Sequence, residues 1–401
     1  MHGGATVAYN ANRLTLTGEI GGRRDPQGSR GGDERIVRDE QGSVVSTILR
    51  QADQEGRGRQ QNVRTSIDYD LSSATRLSGE LRYNGIDFDS ILQQPVRVYG
   101  QTGAMTSDLE QRFNFGFDRD TGAARATLRH TFGTDHDLTL DVARDRTRDQ
   151  VSNVPTAPDL FTHLRGVNRL NLTEAKADYV RAMAREAKFK VGYSLRIEDN
   201  RYDNVGQRGT SEAGAGPDPT QTNRFLYKQT INAGYATYEV PFGDLTVLTG
   251  LRLEDVQLDL DQVTTGLTNR SSYFRAYPSL HMAYRLSEAR QVRLSYSRRV
   301  QRPNPQDLNP FVVENDPFTF RAGNPALKPQ TTDAFELGYE YKADGPLPRH
   351  AVLPAERPWR DGRDHGPAQW RPAHHQGQPR LQPDCGPGSR GQRQARRGLE
   401  L

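Results

Sequence analysis

The sequence is short of cysteine, of long apolar runs and of net charge, and each shortage excludes a class of protein. The single cysteine, Cys385, excludes an internal disulfide framework and a cysteine-rich zinc site. No uncharged apolar run approaches the roughly 18 residues that a membrane-spanning helix needs. The net charge is only +4 over 401 residues, so no nucleic-acid partner is expected. The N-terminus shows no basic region followed by an apolar one, so no export signal is predicted.

Residues 346–401 differ in composition from the rest of the chain. They contain ten Arg and five acidic residues but no Lys, Phe, Tyr, Ile, Met, Asn or Thr, and they hold nine of the 23 prolines. Such a segment cannot bury enough apolar surface to offset chain entropy, so a disordered Pro/Arg/Gly-rich tail is predicted. Most of the missing residue types have AT-rich codons, which favours out-of-frame translation from about Gly345 onward. A genuine disordered basic tail is the alternative.

Residues 1–345 repeat a segment of about ten residues in which apolar side chains take every second place. Successive strand side chains point to opposite faces, so each segment predicts a strand with one apolar and one polar face. About fourteen strands are expected on this count, with Asp118–Gly122 leaving the order near residues 113–132 open. Leu170–Ala187 has some helical character but is also predicted as a strand. Examples of the alternation are Leu14, Leu16; Val63, Ile67, Tyr69; Leu77, Leu81, Tyr83; Val191, Tyr193, Leu195; Leu251, Leu253; Val292, Leu294, Tyr296; and Phe335, Leu337, Tyr339.

Short turns alternate with long polar stretches between these segments. The turns are predicted at Asn10–Arg13, Ser72–Thr75, Gly133–Asp137, Arg185–Lys188, Pro241–Asp244 and Ser287–Arg290. Long loops are predicted at Asp25–Arg59, Asp89–Ser107, Ser152–Arg169, Asp203–Asn223, Thr264–Ser271 and Pro303–Thr331. Turns that are short at one end and loops that are long at the other are typical of an outer-membrane barrel.

The polar face carries more charge than a dry core could hold, which favours a water-filled lumen behind a lipid-facing apolar face. The charges predicted there are Arg64, Asp68, Glu80, Arg82, Arg196, Arg293, Arg299, Glu336 and Glu340. Aromatic residues near segment ends predict interfacial girdles: Tyr69, Tyr83, Phe88, Tyr273, Phe274, Tyr339 and Tyr341. The predicted fold is therefore an all-β, antiparallel transmembrane barrel over residues 1–345. A soluble antiparallel sheet with one wet face is the alternative.

One block of about 70 residues carries a family resemblance. It comprises Tyr273–Leu280, Leu294–Pro303, Asp307–Phe311, Arg321–Pro329 and Phe335–Glu340. The order of motifs in this block resembles the barrel of TonB-dependent receptors of the Gram-negative outer membrane. The motifs are a Pro-Ser-Leu strand, a Tyr-Ser-Arg strand ending in Arg-Pro, a Leu-Asn-Pro-Phe loop, Gly-Asn-Pro-x-Leu-x-Pro and a Glu-Leu-Gly-Tyr strand. Residues 6–272 fit that family by hairpin pattern only.

The resemblance implies a cell outer-membrane transporter for scarce, bulky ligands such as siderophores, cobalamin or carbohydrates. Its expected partners are outer-membrane lipid, a small-molecule ligand of unknown identity and TonB, which pulls on a plug domain. The sequence shows no signal peptide, no plug or TonB-contacting segment, and fewer strands than the family's barrel, so an internal fragment is predicted, inactive by itself and prone to aggregate. A passive porin-like or surface-binding outer-membrane barrel and a soluble all-β binding or carbohydrate-active domain are the alternatives.

No catalytic, cofactor-binding or metal residues are predicted, and the chain is expected not to be an enzyme. It has no Gly-rich phosphate loop and no Gly-x-Ser-x-Gly elbow. His2, His130, His136, His163, His281 and the His374-His375 pair lack metal-ligand spacing, as do Asp255, Asp259 and Asp261. Arg23, Arg24, Arg30, Arg35, Arg293 and Arg299 could meet an anionic ligand, but a wet lumen with compensating acids and a charged loop facing lipopolysaccharide are the favoured explanation. In the resembling block, Pro303 is expected to end a strand, and Gly323 or Asn324 to take positive φ.

Overall fold

The computed structural model describes residues 1–316, 319–341 and 349–359, almost all of them in β-strands. The strands are β1 His2–Ala11, β2 Leu14–Arg38, β3 Val44–Asp70, β4 Thr75–Gly100, β5 Met105–Phe132, β6 His136–Ala157, β7 Leu160–Ala182, β8 Lys188–Gly209, β9 Gly216–Phe242, β10 Leu245–Gln262, β11 Leu267–Ser287, β12 Arg290–Gln301, β13 Val313–Asp316, β14 Thr319–Arg321, β15 Gln330–Tyr341 and β16 Arg349–Trp359. Two 3₁₀ turns lie at Ala184–Glu186 and Pro305–Leu308. Among these residues, no helix has the length and apolar character to cross a membrane.

Fourteen of the strands form one antiparallel sheet in sequence order, and β13 with β14 forms a separate two-stranded sheet. The predicted fold class and strand number are confirmed. The predicted turns at one end of the sheet are confirmed as well, because each lies between consecutive strands at the predicted residues. Gly133 and Gly243 have φ angles of 66° and 61°, so two of these turns use the left-handed region that glycine enters without strain.

Most of the predicted long loops are instead strands. β2 and β3 remain paired out to Arg38 and Val44, so Asp25–Arg59 is a hairpin and not a loop. The same holds for Asp89–Ser107, Ser152–Arg169, Asp203–Asn223 and Thr264–Ser271, whose residues lie largely in β4 to β11. Beyond the membrane both faces of a hairpin meet water, so the ladder can continue without the alternation that lipid imposes. Pro303–Thr331 alone contains an extended irregular stretch among the described residues.

Three further expectations were open or differ. Asp118–Gly122 lies within β5 and forms no extra hairpin. Leu170–Ala187, predicted as a strand, is strand only up to Ala182, and a 3₁₀ turn follows at Ala184–Glu186. Arg349–Trp359 pairs with β15, which differs from the prediction of an unstructured tail over 346–401. Residues 342–348 and 360–401 lie outside the described residues, and the predicted change of reading frame stays a prediction.

The register places the predicted residues on the predicted faces. Leu294 pairs with Leu337, and Ser295 pairs with Glu336, so the leucines share one face and Glu336 lies on the other. The apolar face exposes large side chains in a band across the sheet, among them Leu81, Val142 and Leu337 at 63%, 54% and 48%. Such a surface needs lipid to cover it.

The polar face carries the predicted charges as ion pairs. Arg64 contacts Glu80 at 2.6 Å, Arg196 contacts Glu174 at 2.9 Å, and Arg293 contacts Glu340 at 2.8 Å. Two predicted girdle residues are on the wrong face, however. Phe88 lies on the same face of β4 as Glu80 and Arg82. Tyr273 pairs with Val256, which lies on the same face of β10 as Glu254, so both aromatic residues belong to the polar face. Their position at strand ends could not reveal this, because one residue of shift along a strand reverses the face.

Candidate ligand-facing site

A loop folds onto the outer part of the polar face of β8–β11. We call the described residues between β12 and β15, 302–316 and 319–329, the capping loop. Its Leu308 is 1% exposed and lies among four apolar residues of β9 and β10 that are themselves nearly or fully buried. These are Phe225, Tyr227, Leu258 and Leu260, and we call them together with Leu308 the apolar cluster. The lower polar face is charged, so this outer part is a separate, dry region under the loop.

The apolar cluster is placed by strand register. Tyr227 pairs directly with Leu260 across β9 and β10, and Phe225 is the next residue on the same face. Tyr202 of β8 stacks on Phe225, with ring centroids 6.0 Å apart and planes 29° apart. The stack orders two aromatic rings of the sheet, and the burial of Leu308 in the same cluster favours a fixed position of the loop on the sheet.

Two strand-like backbone contacts lock the capping loop onto itself. The Gly323 N–H donates to the Asn309 carbonyl at 2.7 Å, and the Asn324 N–H donates to the Asp307 carbonyl at 2.8 Å. A β-carbon on Gly323 would lie 2.6 Å from both carbonyl oxygens. Glycine is therefore required by close approach of two backbones and not by positive φ, since the φ of Gly323 lies outside the left-handed region. The prediction that Gly323 or Asn324 takes a positive φ was wrong.

Side-chain amides fasten the loop to the sheet. Gln262 at the outer end of β10 is fully buried and donates to the Asn309 Oδ1 at 2.7 Å. The same oxygen accepts the Phe311 N–H at 3.1 Å. On β11, Asn269 donates to the Pro325 carbonyl at 2.9 Å. The Leu-Asn-Pro-Phe and Gly-Asn-Pro segments that carry the family resemblance are thus the segments that hold the loop in place.

A buried ionic network lies directly below the apolar cluster. The carboxylate of Glu254, which is 4% exposed, accepts hydrogen bonds from Arg302 and, at 2.7 Å, from Arg252. Arg302 also donates to the Tyr273 hydroxyl at 3.3 Å. Arg302 follows the end of β12 at Gln301, and Pro303 comes next, as expected for a strand end. Removing one partner would leave a buried charge without compensation, so this network fixes the root of the capping loop.

Burial also sets the protonation of groups in the outer part of the sheet. It raises the pKa of Tyr202 to about 12 and raises the pKa of Tyr227 further, so both hydroxyls stay protonated well into alkaline pH. Burial would raise the pKa of Asp203 too, but hydrogen bonds from Arg201 and Arg224 outweigh it, and the pKa is lowered. Asp203 is therefore a carboxylate, held between its arginines at 2.7 Å from each.

The remaining candidate residues are scattered along the sheet. His130, His136 and His163 each contact a hydroxyl, those of Thr75, Tyr179 and Ser152. Arg30 pairs with Asp53 at 3.0 Å, Arg23 pairs with Asp25, and Asp259 pairs with Arg270 at 3.3 Å. In residues 1–316, 319–341 and 349–359, no group of three or more His, Cys, Asp or Glu is placed to hold a metal. His374-His375 lies outside the described residues.

A sheet of sequential antiparallel strands, with an exposed apolar band on one face and ion pairs on the other, defines the wall of an outer-membrane barrel. Residues 130–347, more than half of the chain, match the outer membrane protein beta-barrel family. The chain belongs to that family and is an outer-membrane protein. A search of the curated proteins gave no match.

Three solved structures show the same fold, and one of them is named as an import receptor. The ferric-catecholate import receptor Fiu from K12 E. coli is 12% identical, with a TM-score of 0.53 over 88% of this chain and 57% of that one. The FpvAI–pyocin S2 complex is 15% identical, with a TM-score of 0.54 over 88% and 46%. P. aeruginosa FpvA bound to heterologous pyoverdines is 15% identical, with a TM-score of 0.50 over 82% and 46%. The chain spans about half the length of these structures, and at such identities the likeness concerns the fold. The resemblance to TonB-dependent receptor barrels is confirmed at that level.

Proposed function

We propose that this chain is the barrel region of an energised outer-membrane receptor that imports a bulky ligand, with TonB as its energy-coupling partner. Siderophores, cobalamin and carbohydrates remain the candidate ligand classes. Ferric siderophores come first among them, because the similar structures are named as a ferric-catecholate receptor and a pyoverdine-bound protein. We further expect the 401 residues alone to be inactive, because β1 and β16 each have only one sheet neighbour among the described residues.

The observation that carries the proposal is the capping loop. The residues that resemble TonB-dependent receptors, such as Asn309 and Gly323, are those that lock this loop over the polar face. A passive pore conducts through an open polar lumen. A loop that is fixed on the lumen side by a buried leucine and a buried ionic network instead covers part of the polar face and supplies a defined surface for a ligand.

The test is uptake by the complete gene product, expressed from the reading frame with its flanking coding sequence in a strain without outer-membrane ferric-chelate receptors. Three probes are offered separately: a radiolabelled ferric catecholate, radiolabelled cobalamin and a fluorescent maltodextrin. We expect saturable uptake of one probe, lost when TonB is deleted. Saturable uptake of any one probe that survives TonB deletion would instead support a passive or surface-binding barrel, and uptake of none of the three would overturn the proposal.

A further inference from the structure

Three arginines form a row on the lipid-facing side of β6. Arg144, Arg146 and Arg148 are exposed and lie on the same face as Leu140 and Val142, which are 39% and 54% exposed. Alternate strand residues are about 6.6 Å apart, so the row extends about 13 Å. The apolar band of β6 therefore passes directly into a line of guanidinium groups.

The row lies at the outer boundary of the membrane. The short turn at 133–135 precedes β6, and the strand continues beyond the row to the hairpin tip at Ala157. In outer-membrane barrels the short turns are periplasmic, so the far end of the apolar band faces the outer leaflet. Register supports this level, because Arg146 pairs with Gly122, which in turn pairs with the predicted girdle residue Tyr83.

These arginines have no carboxylate partner among the described residues. Arg144 donates to the Thr173 hydroxyl at 2.7 Å, whereas Arg146 and Arg148 form no hydrogen bond or ion pair there. Asp120 lies directly opposite Arg148 in the register but accepts the Tyr83 hydroxyl at 2.6 Å instead. The nearby arginines of β7 and β8 are paired, as Arg169 contacts Asp203 at 2.9 Å.

The surface beside the row is open. Arg146 is flanked by Gly122 on β5 and Asn171 on β7, both uncharged. A β-carbon built on Gly122 would meet no atom within 4 Å. A ligand group can therefore approach the guanidinium of Arg146 from the side without displacing a side chain.

We propose that Arg144, Arg146 and Arg148 bind the phosphate groups of lipopolysaccharide in the outer leaflet. A phosphate offers three oxygens to the planar guanidinium fork, and adjacent arginines on one face can clamp a single phosphate between them. Arg146 and Arg148 form no ion pair with Asp118 or Asp120, the acidic residues of β5 on the same face, so their guanidinium groups stay available to the anionic head group of the lipid at this level. The inference is independent of the transported ligand, since the row lies on the opposite face of the sheet from the capping loop.

The test uses the complete gene product, purified and reconstituted in nanodiscs, with diphosphorylated lipid A and dephosphorylated lipid A as probes. Binding is measured by native mass spectrometry for the wild type and for Arg146→Gln/Arg148→Gln. The matched control is Arg112→Gln/Arg165→Gln, which removes the same charge from exposed positions on the same face of β5 and β7, further from the apolar band. Heat-modifiable gel migration verifies folding.

We expect the Arg146/Arg148 variant to bind diphosphorylated lipid A about tenfold or more weakly, because it loses the charge-assisted hydrogen bonds to phosphate. The control variant should bind as the wild type does. Equal loss in both variants, or equal binding of dephosphorylated lipid A by the wild type, would overturn the proposal and leave only general interfacial anchoring. If the double variant does not fold, Gly122→Glu replaces it: a carboxylate beside Arg146 should produce the same loss, and unchanged binding would refute the proposal.

Discussion

Replacing Gly323 by alanine tests whether close backbone packing holds the capping loop. The new β-carbon would lie 2.6 Å from the carbonyl oxygens of Asp307 and Asn309 and 2.7 Å from the Asn309 nitrogen. All three atoms belong to the backbone and cannot rotate away, so the two arms of the loop must separate. Separation breaks the hydrogen bonds from Gly323 to Asn309 and from Asn324 to Asp307.

The cost follows from these contacts. Two lost hydrogen bonds are worth about 1 kcal/mol each. Overpacking adds about 1–3 kcal/mol, and the stiffer unfolded chain returns about 0.4–1 kcal/mol. The net destabilisation of the loop is then about 3 kcal/mol, which raises the population of its open form about 100-fold.

Hydrogen exchange with mass spectrometry on the complete protein in nanodiscs measures this opening. Peptides covering residues 305–312 should lose about 100-fold of their protection in Gly323→Ala, while peptides of β3 should not change. Gly31→Ala is the matched control, because a β-carbon at Gly31 would meet no atom within 4 Å. Protection in Gly323→Ala within about threefold of the control would refute the close-approach argument.

Three further changes probe the cluster, the outer hairpin and the lipid face. Leu308→Ala should destabilise the capping loop by about 2–5 kcal/mol, seen as faster exchange of its amides, while Leu327→Ala, at a site 43% exposed, should cost under about 0.5 kcal/mol. Asp203→Asn should weaken the outer part of the β8–β9 hairpin by about 1–2 kcal/mol, measured by protease cleavage at its tip. The pKa of Asp203 is lowered from 3.8, so the stabilisation by its carboxylate is present above that value and is lost as the pH falls through the folded pKa. Wild type and variant should therefore differ in stability at neutral pH and converge in strong acid. A difference in stability that stays constant with pH would contradict this role of Asp203. Leu337→Arg should lower the stability of the barrel in lipid by about 2–4 kcal/mol, measured as a lower midpoint temperature of heat-modifiable gel migration. Ser295→Arg on the polar face should leave that midpoint unchanged. An equal loss of stability in both variants would show that the faces are assigned wrongly.

The sequence predicts the membrane-spanning part of the sheet well because lipid enforces alternation there. Leu294 and Leu337 must share a face, and a one-residue slip would place Glu336 in lipid. Side-chain polarity alone therefore predicts which residues of each strand share a face. The predicted loop at Asp25–Arg59 was wrong for the converse reason, since its residues meet water on both faces and carry no such signal.

The apolar cluster could have been found from one feature of β10. Leu251 and Leu253 follow the lipid face, but Val256, Leu258 and Leu260 continue the alternation on the opposite face. Within one unbroken strand, the apolar residues thus change from one face of the sheet to the other. Such a change indicates that the first face meets lipid and that, further along, the second face is covered by another part of the protein. The covering element itself could not be located, because Leu308 lies in an irregular segment whose contacts depend on the pairing of Asn309 with Gly323 and Gln262.

The two faces of the outer sheet therefore differ in how their charges are satisfied. On the lumen side, Glu254 binds two arginines and is nearly excluded from water, so a loss of either partner would leave a charge in a dry site. On the lipid side, Arg146 and Arg148 have no protein partner among the described residues and border open space. Internal pairing fits a fixed loop, and unpaired cations at a lipid boundary fit an external anion. The two regions contain the same types of charged residue and differ in whether those charges are paired within the protein. The paired charges stabilise the capping loop, and the unpaired arginines face the outer leaflet.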